Sequence, residues 1–299
     1  MITARTTCAL AASLALACLG AGTASAFAPA LPLLRARSGL GATGGDGEGG
    51  GTALAPEAAP EAAPEAVNPR KVGLSLMLDD GTRKSHSMAE NTAFVSGFFK
   101  GIGTRDAFAE LVTSLYFVYA AMEQEFSAAT DAGVRALDYP ELRRVGALER
   151  DMEYFYGTEW RDTIRPSPAA TRYVSRIREV AGPGGDPALL IAHQYTRYLG
   201  DLFGGQMMGG MATRSLGLEA GRGTSFYEFS EIPDTQAFID EWYRALNELD
   251  LTEEQQQAIV DEANLVFALN IEIFEELDGS PLQAMLMLVV NSLKEKLGF

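Results

Sequence analysis

From residue 87 to residue 276 apolar side chains recur every three or four positions, and no stretch alternates at every second one. Residues so spaced share one face of a helix, and that face has to be buried. The pattern predicts helices over 87–101, 105–128, 140–155, 168–180, 186–216, 234–248 and 253–276. Thr104, Ser167 before Pro168, Asp186 before Pro187, and Thr252 ahead of Glu253 and Glu254 mark helix starts, since a side-chain oxygen there can accept from the orphan N–H groups of a first turn. Gly157, Gly182 to Gly185 and Gly221 to Gly223 mark breaks. The expected fold class is all-α: one compact multi-helix domain over 72–299.

Upstream the chain is of another kind. Residues 8–22, CALAASLALACLGAG, are a short apolar run closed by the small residues Thr23 to Ala26, so 1–26 reads as a signal-peptide-like segment, too short to span a bilayer. ASAFAP at 24–29, followed by Arg35 and Arg37 with no acid before Asp46, resembles the two-part leaders of algae with complex plastids. The expected destination is the chloroplast or plastid stroma, with secretion as the alternative. A Gly-rich run and three APEA repeats then give a composition unable to bury enough apolar surface to order itself, so 27–71 reads as transit peptide and disordered linker.

Both cysteines, Cys8 and Cys18, fall in the leader, which excludes thiolate chemistry from a processed chain. With only His86 and His193 left, clustered His sites for zinc are excluded too. A net charge of −16 argues against nucleic acid and anionic membranes as partners. The apolar stretch 282–290, LQAMLMLVV, is too short to span and reads as a packed terminal helix.

The most unusual segment is QYTRYLGDLFGGQMMGGM, 194–211, with glycines at 200, 204, 205, 209 and 210 inside a helical pattern. Each mid-helix Gly costs about 1 kcal/mol relative to Ala. Something must approach the backbone itself and bend the helix: another helix or a planar cofactor, with helix packing favoured on spacing alone. Asp201 lies inside this set, four residues after Arg197, where either a plain ion pair or a water-holding proton relay fits. His86 opens the helix SHSMAENTAFVSGFFKG, with Ala89, Glu90, Ala93 and Gly97 on its face; a lone His is more often a satisfied structural residue than a ligand. The same holds for His193.

Together these segments resemble a known family. SHSMAENTAFVSGFFKG (85–101) with LVTSLYFVYAAMEQE (111–125) looks like the proximal half of haem oxygenases, especially the cyanobacterial and algal type, and AHQYTRYLGDLFGGQ (192–206) resembles their distal helix. RDAF, ALERDMEYFYG, FYEF and ALNIEIFEEL follow in family order, so the resemblance covers about 72–293.

It implies haem b, as substrate and cofactor, sandwiched between two helices. His86 would be the axial iron ligand, with Glu90 orienting its ring. Gly200, Gly204 and Gly205 would let the distal backbone lie against the porphyrin, beside Tyr195. Asp201 would anchor a water network with Arg197, Tyr119, Tyr198 and Asn270 that delivers a proton during oxygen activation. His193 would be structural. The implied reaction opens the ring to biliverdin, releasing CO and iron, with O2 as co-substrate and reduced ferredoxin as donor, and a bilin reductase could act downstream.

The chain departs from the family at three propionate-clamp positions, which hold Asp79, Ile239 and Tyr243 instead of basic residues. Arg83 and Arg244 are the expected substitutes. Phe203 replaces the usual distal Ser, and Gly209 and Gly210 further loosen the helix. These changes motivate an alternative reading, a non-catalytic haem-binding or haem-buffering homologue. A helical interaction module without haem is the third.

Overall fold

The computed structural model describes residues 67–99, 103–219 and 221–277, and these hold no strand. The leader, nearly all of the linker and the stretch 282–290 lie outside the described residues. The main helices are α1 Gly73–Glu90, α2 Ala93–Phe99, α3 Arg105–Ala128, α4 Val145–Tyr156, α5 Pro168–Ala181, α6 Leu190–His193, α7 Gln206–Ser215, α8 Thr235–Asn247 and α9 Glu253–Leu277. Between α6 and α7 the chain stays helical but widens into π-type turns over Gln194–Leu199 and Asp201–Gly205.

The predicted starts are capped as expected. Thr104, Ser167, Asp186 and Asp234 side chains accept from Ala107 N, Ala170 N, Ala188 N and Ala237 N at 3.0–3.1 Å. Thr252 and Gln255 cap one another reciprocally.

The N-terminal end differs from the sequence reading in two ways. His86 does not open a helix: it sits in the last turn of α1, which starts at Gly73, and the chain breaks at Asn91 and Thr92 before α2. The polar run DDGTRKSHS disguised the amphipathic face formed by Leu74, Leu78, Thr82 and Ala89. Gly81 belongs to that face, because a Cβ there would lie 2.5 Å from Val260 Cγ1, and its absence lets α1 pack closely on α9. Order also begins before residue 72. Pro69–Lys71 forms a 3-10 turn, tied down where Asn247 Nδ2 donates to Pro69 O at 2.7 Å.

Helices α3, α5 and α9 pack on one another, with α4 covering α3 and α1 lying along α9. The largest wholly buried side chains, among them Tyr119, Tyr173, Tyr198, Phe126, Phe226 and Trp242, fill the space between them. His193 is fully buried here and its Nε2 lies 3.1 Å from Glu262, which Arg176 grips with both Nε and Nη2 at 3.0 and 2.6 Å. This structural role agrees with the sequence reading.

The His193–Glu262 pair makes stability pH-dependent in a defined direction. Burial holds the His193 pKa below its ordinary 6.5, against the pull of Glu262. The unfolded chain therefore takes up a proton that the folded chain refuses, and stability declines as pH falls below about 6.5. Burial alone would raise the Glu262 carboxyl, but its bonds from His193 and Arg176 outweigh that and hold it at about 2. Its contribution is complete above the unfolded carboxyl value and is lost as pH falls toward 2. The urea midpoint should drop between pH 7.5 and 5.5, and His193→Gln, which retains an N–H for Glu262, should flatten that slope; equal slopes in both proteins would contradict the assignment.

Candidate functional site

The five glycines of the 194–211 segment divide by what lies beside them. At Gly205 an added Cβ would meet Tyr227 Cδ1 at 2.9 Å, and at Gly209 it would meet Tyr227 Cβ at 2.8 Å. At Gly200 and Gly204 it would meet nothing within 4 Å, and both residues are exposed. Two glycines thus admit a neighbouring ring, while two leave bare backbone facing open space. Tyr227 is held by a buried carboxylate on α4: Asp151 accepts from Ser225 N and Phe226 N, both at 2.8 Å, fixing the turn that carries the tyrosine. The sequence motifs around Asp151 and FYEF are parts of this one device.

The widened turns run through the same stretch, Gln194–Leu199 and Asp201–Gly205. Segments with i to i+5 bonding admit an extra residue per turn and re-aim the side chains on either side. The expected bend between Gln194 and Gly205 is therefore a change of winding rather than a hinge.

On this segment Asp201 is the centre of a polar network drawn from three elements. Tyr119 of α3 donates its hydroxyl to Asp201 Oδ2. Arg197 Nη2 donates to Asp201 Oδ2 at 3.0 Å, with Oδ1 at 3.3 Å, and Arg197 Nη1 donates to Asn270 Oδ1 of α9 at 2.8 Å. Asn270 is itself oriented by donating to Val266 O at 2.8 Å. Burial pushes the Asp201 carboxyl above the ordinary carboxylate range, with Arg197 opposing. Burial alone would depress Arg197, but Asp201 and Tyr119 outweigh it and keep the guanidinium charged. The carboxylate side chain nevertheless retains 14% exposure, beside the open surface of Gly200 and Gly204. A carboxyl with a raised pKa, aligned by a permanent cation and reached by solvent, can take up and return a proton.

Tyr198 does not join this network. One residue on from Arg197, it points to a different side of the helix, packs edge-on to the Tyr119 ring at 5.3 Å and directs its hydroxyl to Glu123 Oε1 at 3.4 Å. Glu123 meanwhile accepts from Arg144 N and Val145 N at the start of α4, so this branch is structural.

On α1, His86 Nδ1 faces Glu90 Oε1 at 3.6 Å, an i, i+4 pair that leaves Nε2 to point elsewhere. Phe267 of α9 packs edge-on against the imidazole at 5.6 Å. Glu90 thus lies beside the ring, one turn further along α1. Tyr195, half-buried, adjoins Thr82 one turn before His86, and burial pushes its hydroxyl up to about 12. It links the glycine-rich segment to α1.

The expected basic substitutes are not brought to this cleft. Arg83 is spent on Asp80 at 2.5 Å and Asp79 at 3.7 Å, and its side chain is 70% exposed. Arg244 lies on the exposed face of α8, since it follows the inward-facing Tyr243 by one residue. The cation that does reach the cleft is Arg70, whose guanidinium stacks on the Phe203 ring at 4.5 Å and on Tyr243 at 5.5 Å. Sequence reasoning missed it, along with Tyr227, because each acts on residues far away in the chain.

A cavity of about 580 Å3 at the other end of α3 and α9, lined by Glu110, Thr113, Tyr156, Arg165 and Glu276 among others, contains none of these residues and no buried polar atom lacking a partner. The chemistry is concentrated around Asp201 and His86. Among the described residues no cluster of three or more His, Cys, Asp or Glu could hold a metal ion by itself.

Comparison with known proteins bears on this arrangement. A family model described as Heme oxygenase matches residues 72–276. Heme oxygenase 1 of Synechocystis sp. is 44% identical over 226 residues, 75% of this chain and 93% of that protein. The heme oxygenase of Pyropia yezoensis is 43% identical over 219 residues, 73% of this chain and 91% of the relative. The crystal structure of Synechocystis heme oxygenase-1 in complex with heme superposes with a TM-score of 0.70 at 44% identity, over 74% of this chain and all of that one. Heme oxygenase-2 from the same organism, in complex with heme and NO, gives 0.67 at 40% identity, over 69% of this chain and 86% of that one.

The glycine division is testable without any ligand. Gly209→Ala should destabilise the fold by about 1–3 kcal/mol through overpacking against Tyr227. Gly204→Ala should leave stability unchanged or raise it by up to about 1 kcal/mol, the helix-propensity gain. Urea unfolding of the two variants decides, and equal losses would mean that Gly204 is also a packing glycine.

Proposed function

The chain belongs to the haem oxygenase family, and from that premise we propose that it binds haem b through His86 and opens it to biliverdin, CO and Fe2+ in the plastid, drawing electrons from reduced ferredoxin. The observation that carries the reading is the coincidence of two features on one segment: backbone left bare at Gly200 and Gly204, and the tethered, partly exposed Asp201 between them. A flat apolar group would fit against backbone that no side chain covers, and His86, with Nδ1 turned to Glu90, would hold the iron through Nε2.

Haem, when bound, supplies both the oxygen-activating iron and the carbon skeleton that is cleaved. The chain's own residues do the rest. Glu90, facing His86 Nδ1, would help to hold the ring with Nε2 turned away from it. Gly200 and Gly204 would let a bound ring lie close against the backbone on that face. Asp201, aligned by Arg197 and Tyr119, holds water and returns a proton from its carboxyl oxygens. Asn270 keeps Arg197 from swinging away. Because Asp201 would act through water, the proton it returns would be delivered in a moderated way.

Ferredoxin as donor, a downstream bilin reductase and a plastid address rest on the leader at 24–29 and on the likeness to the Synechocystis and Pyropia proteins. No helix among the described residues is long and apolar enough to cross a membrane. The altered clamp positions Asp79, Ile239 and Tyr243 favour a second reading, a haem carrier without turnover.

Mixing the purified chain with hemin and then with a ferredoxin reducing system under air separates the two. A Soret band that decays into a bilin spectrum is expected; a stable haem complex that never yields bilin supports the carrier. His86→Ala should weaken or alter the Soret band, with recovery on adding free imidazole, and an unchanged spectrum would remove His86 as ligand. Asp201→Ala should keep the haem complex while lowering bilin formation by about two orders of magnitude or more, the usual contribution of a positioned acid.

A further inference from the structure

The Arg70 turn lays a positive charge against the Phe203 and Tyr243 rings. Its backbone is fixed at both ends: Asn68 Oδ1 accepts from Arg70 N at 3.0 Å, and Asn247 of α8 binds both Pro69 O and Ser75. Gly73, at φ +55°, allows the close approach, since a Cβ there would lie 2.8 Å from Asn247 Oδ1. The side chain is three-quarters buried on the Phe203 and Tyr243 rings. Asp240 lies 3.4 Å from Nε, yet neither Nε nor Nη2, both shielded from solvent, completes a hydrogen bond among the described residues. A guanidinium so placed has donors to give to an anion.

The groups around it define the anion. Arg70 lies over the Phe203 and Tyr243 rings and beside Asp240, and the charges of Arg70, Asp79 and Asp240 and the Tyr195 hydroxyl bear on the Tyr243 hydroxyl. Burial raises the hydroxyls of both Tyr195 and Tyr243, which keeps them protonated as donors. Asp79 and Tyr243 occupy two of the positions where a basic residue was expected, and Arg70 enters the same place from outside α1. Phe203 and Tyr243, which look like losses in sequence, are the platform on which Arg70 rests.

We propose that Arg70, with Tyr195 and Tyr243, forms a carboxylate-binding site that holds a propionate of bound haem and so selects the orientation of the ring. This rests on the haem reading above. Asp240 is the internal competitor that the ligand carboxylate displaces.

The test compares hemin with hemin dimethyl ester, which has the same ring and iron but no carboxylate charge, by Soret titration of the full chain. Wild type should prefer hemin by at least about tenfold, the worth of one charge-assisted hydrogen bond. Arg70→Gln should bring the ratio toward one with ester affinity unchanged, Arg70→Lys should restore much of the preference, and Asp240→Asn should increase it. In turnover, Arg70→Gln should also broaden the distribution of biliverdin isomers. Equal binding of the two porphyrins by wild type, or a preference that survives in Arg70→Gln, overturns the proposal. Failure of both porphyrins to bind overturns the proposal together with the haem reading, which distinguishes the two failures.

Discussion

The close approach of the Tyr227 ring to Gly205 and Gly209 sets the position of everything else on the distal segment. With a side chain at either glycine, the ring and the helix backbone would have to separate, because the contacts to an added Cβ fall near 2.8–2.9 Å. Asp151 keeps the ring from retreating by holding the two amides before it. Pinned from that side, the segment presents Gly200 and Gly204 outward. Close packing on one face and bare backbone on the other are therefore two consequences of a single constraint.

Asp201 illustrates how burial and charge combine to make a usable acid. Desolvation raises its pKa, while Arg197 and Tyr119 lower the energy of the carboxylate and hold it in one orientation. Because α9 supplies Asn270 and α3 supplies Tyr119, the position of the carboxyl depends on how these helices pack. The neighbouring cluster of His193, Glu262 and Arg176 uses similar chemistry, but its carboxylate and imidazole are shielded and only the Arg176 end reaches solvent, and its role is to join α5, α6 and α9. Solvent access, more than residue type, separates the functional set from the structural one.

Of the positions Asp79, Phe203, Ile239 and Tyr243, two share a single neighbour. Two aromatic rings replace polar or basic side chains, and an arginine from the preceding turn lies over them. The positive charge beside these two rings comes from a turn far from both in the chain.

Much of the helical framework was legible in the sequence. Apolar spacing and capping residues report interactions within a few positions of one another, and so Thr104, Ser167, Asp186 and Thr252 marked true helix starts. The exceptional glycines and Asp201 were visible for the same reason, since a residue with a local cost stands out in its local setting. The extent of α1 was hidden because Gly81 is small for the sake of Val260, nearly two hundred positions away. The direction of Tyr198, the partition of the glycines and the reach of Arg70 were likewise decided only by tertiary structure. Each depends on which distant side chain fills the adjoining space: Glu123, Tyr227 or Phe203. The sequence by itself determined that the chain is helical, where most helices begin and which segment carries unusual chemistry, because these follow from short-range hydrogen bonding and periodic burial. Packing alone decided which face of that segment is open and which cation stands beside it, because proximity across the fold has no counterpart in spacing along the chain.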